Sequence, residues 1–111
     1  MKMVIAYIQP FMSDGVEAAL HRIEGLTGAT FVDVRGFGRG RQSDPRDTEV
    51  LRGTVPKVRI EVIVPDELEA AVVRAIEGAA RTGNRGDGKV VVIPVSRALR
   101  VATGEEGDAA V

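Results

Sequence analysis

The segment from Lys57 to Val64 alternates without a break, with Val58, Ile60, Val62 and Val64 on one face. Successive side chains of an extended strand point to opposite sides, so this stretch demands a sheet with one apolar face packed away from water. Thr30 to Arg35 alternates in the same way and predicts a second half-buried strand, antiparallel to the first. Met3 to Ile8, stopped by Pro10, is an apolar run that reads as a buried strand near the start of the chain, and Val90 to Val95 makes a fourth strand near its end.

Two helices fall between these strands. Asp14 and Glu17 have the capping-box spacing, and Val16, Ala19, Leu20 and Ile23 form the apolar stripe of a helix ended by Gly25. Asp66 and Glu69 repeat that spacing after Pro65, and Leu68, Val72 and Ile76 with Ala71, Ala75 and Ala79 give the second helix. The order βαββαβ predicts an α+β chain of the ferredoxin-like, split-βαβ kind. Its four-stranded antiparallel sheet carries both helices on one face and leaves the other free. With 111 residues the chain supports a single domain, 1–111, with no internal repeat and no low-complexity linker. So short a chain buries only about 60–70% of its unfolded surface, and trimerisation, sheet face on sheet face, would cover what the helices leave open.

Two connections carry the candidate chemistry. Thr82 to Lys89 (Thr-Gly-Asn-Arg-Gly-Asp-Gly-Lys) holds three glycines and closes on a lysine. Backbone N–H groups converge on an anion there without Cβ obstruction, and the ammonium adds a point charge. The pattern is not that of a P-loop NTPase: Val90 stands where a magnesium-binding Ser or Thr belongs, and a helix precedes the loop where one should follow. Gly and Asp also make ordinary helix-to-strand turns, so this loop alone leaves both readings open. The second connection, Gly36 to Pro56, has roughly twenty residues where a hairpin uses about two to five. It is polar and mixed in charge (Arg39, Arg41, Asp44, Arg46, Asp47, Glu49, Arg52), which predicts a segment ordered by a ligand or partner, or else a solvated insertion.

Composition removes several classes of function. The chain has no cysteine, which excludes disulfides and thiol chemistry, and the run Met3 to Ile8 is too short for a signal or membrane segment, so a cytoplasmic protein is expected. A net charge of −1 and few aromatic residues argue against nucleic acid as a partner. The single histidine, His21, sits among polar neighbours of the first helix; it suggests neither a soft-metal site nor a nucleophile–base pair.

Five stretches together resemble the PII signal-transduction proteins: Gln9-Pro10-Phe11, Val34 to Arg39, Pro56 to Glu61, Thr82-Gly83 with Gly86 to Lys89, and Thr103 to Glu106. The match covers nearly the whole chain. The resemblance implies a cytoplasmic homotrimer, not an enzyme, that takes part in regulating nitrogen utilisation. Such a trimer binds ATP or ADP in clefts between subunits and docks a long T-loop, here about 37–56, on a membrane transporter or cytoplasmic enzyme. AMP or a cyclic nucleotide remains open as ligand, and so does a need for Mg2+. The phosphate-binding loop, 82–89, implies contacts from Thr82, Gly86, Asp87, Gly88 and Lys89. The T-loop feet imply Gly36, Gly38, Arg39 and Lys57. Thr30, Glu61 and Ile63 match positions around the adenine, and Arg100, in the C-terminal segment 97–111, matches an arginine reaching the phosphates from an adjacent subunit.

The departures from that pattern point to a divergent branch. Leu51 stands in place of the T-loop tyrosine that many members have uridylylated, and it has no hydroxyl to modify. Gly40 replaces a glutamine that helps hold magnesium beside ATP, with Gln42 able to substitute only after a register shift. Ala102 replaces the second C-terminal arginine, and the loop tip is remodelled between Ser43 and Val55. Two other readings share some of these residues: a slow ATPase using Asp87, Glu61 and Lys57 to place water, and a CutA-like trimer linked to metal tolerance.

Overall fold

Residues 1–38 and 53–111 are described in a computed structural model; Arg39, Gly40, Gln42, Ser43 and Leu51 therefore lie outside the described residues. The alternating segment forms the longest strand, β3 (Val55–Val64), and it pairs with both β1 (Lys2–Ile8) and β2 (Thr30–Gly36). Strand β4 (Gly88–Pro94) pairs with the other edge of β1, giving the antiparallel order β2-β3-β1-β4. Helices α1 (Ser13–His21) and α2 (Asp66–Ala80) complete the βαββαβ chain, the ferredoxin-like arrangement.

Register fixes which residues share a face. Val4, Ala6 and Ile8 lie opposite Val62, Ile60 and Val58, and these side chains meet Val16, Leu20, Val72, Ile76 and Ala80 in one core. Ile60, Val62, Val72 and Ile76 have no exposed surface, and each such side chain contributes about 1.5–3 kcal/mol on leaving water. The opposite face carries the intervening residues, and among the described residues both α1 and α2 pack on the core side instead. Val32, Ile63, Val91 and Ile93 there each keep about two-fifths of their surface exposed (40–41%).

The element boundaries correct the sequence reading in four places. Neither helix has a side-chain cap. Helix α1 starts at Ser13, directly out of a 3-10 turn at Pro10–Met12, so Asp14 falls inside the first turn and cannot cap it. Asp66 is the first residue of α2, and its carboxylate instead accepts hydrogen bonds from the Met1 amino group at 2.9 Å and Lys2 Nζ at 3.0 Å. Those two cations, the amino group first, hold its carboxyl below the ordinary carboxylate value. Helix α1 ends at His21, before Gly25, where the backbone turns with φ 87°. The ends of the strands also move: β3 starts at Val55, and Gly88 and Lys89 belong to β4 and not to the preceding loop.

Gly88 is the position where only one residue type fits. It lies opposite Ile8 with φ 107°, and a Cβ there would stand 1.7 Å from the Tyr7 carbonyl oxygen. Both the left-handed backbone and the contact with main chain oppose any side chain. Gly88→Ala is therefore expected to destabilise the fold by about 3–5 kcal/mol, with loss of β1–β4 pairing. Urea denaturation with a midpoint equal to that of the parent protein would contradict this.

Candidate functional site

The loop-bearing ends of the four strands converge on one side of the molecule: Gly36 lies opposite Val55, and Ile8 lies opposite both Val58 and Gly88. The glycine-rich loop enters there from α2, and its shape is set by one carboxylate. Asp87 Oδ2 accepts the backbone N–H of Thr82 and of Gly83, each at 2.8 Å, and Asp87 Oδ1 accepts the Thr82 hydroxyl. The same hydroxyl oxygen accepts the N–H of Asn84 at 3.1 Å. Gly83 (φ 86°) and Gly86 (φ 85°) supply left-handed turns on either side of this knot. The Thr82 hydroxyl first, and then the backbone N–H groups, stabilise the ionised Asp87 and hold its carboxyl below the ordinary value.

A second hydrogen bond ties this loop to the neighbouring one. Lys57 Nζ donates to the Gly86 carbonyl at 3.1 Å, joining the start of β3 to the loop before β4. Beside that bond opens a cavity of about 540 Å³ whose cations are Arg35, Lys57, Arg59 and Lys89. No carboxylate is among its described lining residues; Tyr7, Val34 and Phe37 make the apolar part of the wall. With Asp87 engaged inside the loop, its negative charge is held by donors of the loop itself. The arrangement suits a ligand with several negative charges and a flat or apolar portion.

The structure gathers Gly36, Gly38, Lys57, Gly86, Gly88 and Lys89 around this one cavity. Asp87 borders the recess of about 370 Å³ on the helix side of β4, and Thr82 stays bonded to it. Thr30, Glu61 and Ile63 are not in the cavity lining. Thr30 pairs with Glu61, which stands four residues along β3 from Lys57, or about 13 Å at strand rise. Arg100 is in a C-terminal turn, where its N–H donates to the Glu105 carbonyl at 2.9 Å and its carbonyl accepts from Gly104 at 2.8 Å. Tyr7, Arg35 and Arg59 line the cavity although sequence reasoning passed over them. Strand alternation held the signal, since Arg59 must share a face with Lys57 and Glu61.

His21 is 79% exposed on its side chain and lies 3.7 Å from Glu17, as a surface histidine does. Among the described residues there is no group of three or more His, Asp or Glu side chains placed to hold a metal ion, and no helix long and apolar enough to cross a membrane.

The family model described as "Nitrogen regulatory protein P-II" matches residues 1–105. "Nitrogen regulatory protein P-II 1" of Escherichia coli (strain K12) is 44% identical over 113 aligned residues, covering the whole of both chains. "Nitrogen regulatory protein P-II" of Haemophilus influenzae is 45% identical and that of Azospirillum brasilense 42%, again over the full length of each.

The Asp87 knot makes a pH dependence testable. Because its folded pKa is depressed, its contribution is fully present above the ordinary carboxylate value of 3.8 and is lost as pH falls through the lower, folded value. Protection of the Thr82 and Gly83 amides, relative to intrinsic exchange at each pH, is expected to persist down to mildly acidic pH and to fall only below that ordinary value. In Asp87→Asn that protection should be weaker wherever the parent carboxylate is ionised. Equal protection in the two proteins at neutral pH would show that the carboxylate does not hold the loop.

Proposed function

The chain belongs to the nitrogen regulatory protein P-II family, and from that premise we propose that it is a cytoplasmic signalling regulator that binds an adenine nucleotide, ATP or ADP. The observation that carries the reading is the cavity between the two loops, lined by four cations and by no carboxylate among its described residues. A polyphosphate meets backbone N–H groups of a glycine-rich turn, the ammonium of Lys89 and, through Lys57, the foot of the long loop. Tyr7, Val34 and Phe37 offer the apolar surface that a nucleoside needs.

The protein works by binding and acts on its target through the segment 37–56, the target being a membrane transporter or cytoplasmic enzyme. Three features favour a homotrimer with nucleotide between subunits. The sheet face without helices leaves Val32, Ile63, Val91 and Ile93 partly exposed. Glu61 touches the cavity lining only through Arg59, and Thr30 and Ile63 stand away from it within one chain. Arg100 does too, in a turn whose Leu99 and Val101 are 52% and 94% exposed. A neighbouring copy that brings its own Thr30, Glu61 and Arg100 to the cavity would complete the site and cover apolar surface at once.

Two measurements test this. Sedimentation equilibrium at micromolar concentration is expected to give a trimer, and a monomer would remove the intersubunit site. Calorimetric titration with ATP is expected to give saturable binding that weakens about tenfold or more in Lys89→Ala, the effect of losing a charged hydrogen bond of about 1.5–3 kcal/mol. Unchanged affinity in that variant would move the nucleotide elsewhere.

A further inference from the structure

One buried side-chain nitrogen among the described residues has no hydrogen-bond acceptor: Nε of Arg59. It lies 2.9 Å from Glu61 Oε1, near enough for the two charges to pair, but the N–H is not aligned on that oxygen. Tyr7 places the rest of the guanidinium. Its hydroxyl accepts from Arg59 Nη1 at 3.3 Å, and its ring centroid is 5.7 Å from Arg59 Cζ. The register sets Tyr7 directly opposite Arg59 on one side and Lys89 on the other, so the three side chains form one row across the sheet. All three line the cationic cavity.

Holding an arginine by ring, hydroxyl and carboxylate removes side-chain freedom, which an ordinary surface charge keeps. Here that ordering leaves the side chain 33% exposed, neither packed away nor free in solvent. The guanidinium is a rigid fork of N–H donors that matches the paired oxygens of a phosphate, and pre-ordering lowers the entropy lost when the anion arrives. Position adds a further constraint. Arg59 is two residues along β3 from Lys57, about 6.6 Å beyond the amine's strand position, so it stands past the glycine cradle. A phosphate chain entering at Lys57 and running along β3 would bring its second or third phosphate, more than its first, to Arg59.

We propose that Arg59, positioned by Tyr7, is a further phosphate-reading residue of this cavity and makes the site rank adenine nucleotides by the number of phosphates they carry. The inference rests on the nucleotide reading above. Tyr7 is the one tyrosine in a chain without tryptophan, so its emission reports on this row directly in the native protein.

The test is calorimetric titration of the full chain, Arg59→Gln, Arg59→Lys and Tyr7→Phe with ATP, ADP and AMP, with tyrosine emission followed in parallel where Tyr7 is present. In the parent protein, ATP is expected to bind more tightly than AMP and to change the Tyr7 emission. Arg59→Gln should weaken ATP about tenfold or more while changing AMP less than about twofold, the pattern of one lost charged contact. Arg59→Lys keeps the charge without the fork and should retain part of the preference. Tyr7→Phe keeps the ring without the hydroxyl and should lose a smaller part. Unchanged ATP affinity in Arg59→Gln, or equal losses for ATP and AMP across the variants, overturns the proposal while leaving nucleotide binding intact. If Arg59→Gln does not fold, an undiminished ATP-to-AMP ratio in both Arg59→Lys and Tyr7→Phe overturns it. A parent protein that binds none of the three nucleotides overturns the nucleotide reading, and this inference with it.

Discussion

The functional end of this molecule depends on a close backbone approach, that of Gly88 to the carbonyl of Tyr7. It lets β4 begin tight against β1 immediately after the glycine-rich loop, so the loop is delivered to the sheet edge at a fixed place. Lys89 then lies opposite Tyr7, and Tyr7 opposite Arg59. A side chain at residue 88 would push the strands apart and separate the cations that line the cavity. One glycine therefore links strand pairing, which is a matter of packing, to the placement of charge, which is a matter of chemistry.

Charge is handled differently at the two aspartates that matter most. Asp66 binds the Met1 amino group and Lys2, drawing the start of β1 to the start of α2. Asp87 is turned into its own loop, where Thr82 and Gly83 surround it with donors. The first neutralises cations from a distant part of the chain. The second keeps a carboxylate close to the cation-lined cavity while its oxygens are occupied by local N–H and O–H groups. Field strength in the cavity then comes from Arg35, Lys57, Arg59 and Lys89.

Much of this architecture was legible in residue periodicity. The alternation of Val58, Ile60, Val62 and Val64 specified the strand and its buried face, and the stripes at Val16/Leu20 and Val72/Ile76 specified two helices above it. Capping-box spacing misled about mechanism while pointing to about the right start. At Asp66 a tertiary ion pair outcompetes the local cap, and the 3-10 turn before Ser13 starts the first helix two residues earlier than an Asp14 cap would. Of the candidate site, Gly86, Gly88 and Lys89 were read from the glycine-rich loop and Gly36, Gly38 and Lys57 from family resemblance, and all six line one cavity. Thr30, Glu61, Ile63 and Arg100 came from family resemblance; none of the four lines the cavity within one chain, and Glu61 touches it through Arg59. Tyr7 was overlooked because its significance lies in cross-strand register, which no local pattern specifies, whereas strand alternation already set Arg59 on the face of Lys57. Arg39 lies outside the described residues.

The hydrogen bond from Lys57 to the Gly86 carbonyl joins two loops that are 29 residues apart in sequence. Because the lysine belongs to the strand that leads out of the long connection, and the carbonyl to the glycine-rich turn, neither loop has a wholly private geometry. A change at either end alters the free energy of the other, so substitutions in the two loops will be epistatic, their effects failing to add. As the chain diverges, its long connection is free to take up new tips only so far as the foot at Lys57 still meets Gly86. Drift in one loop is thereby filtered by the other.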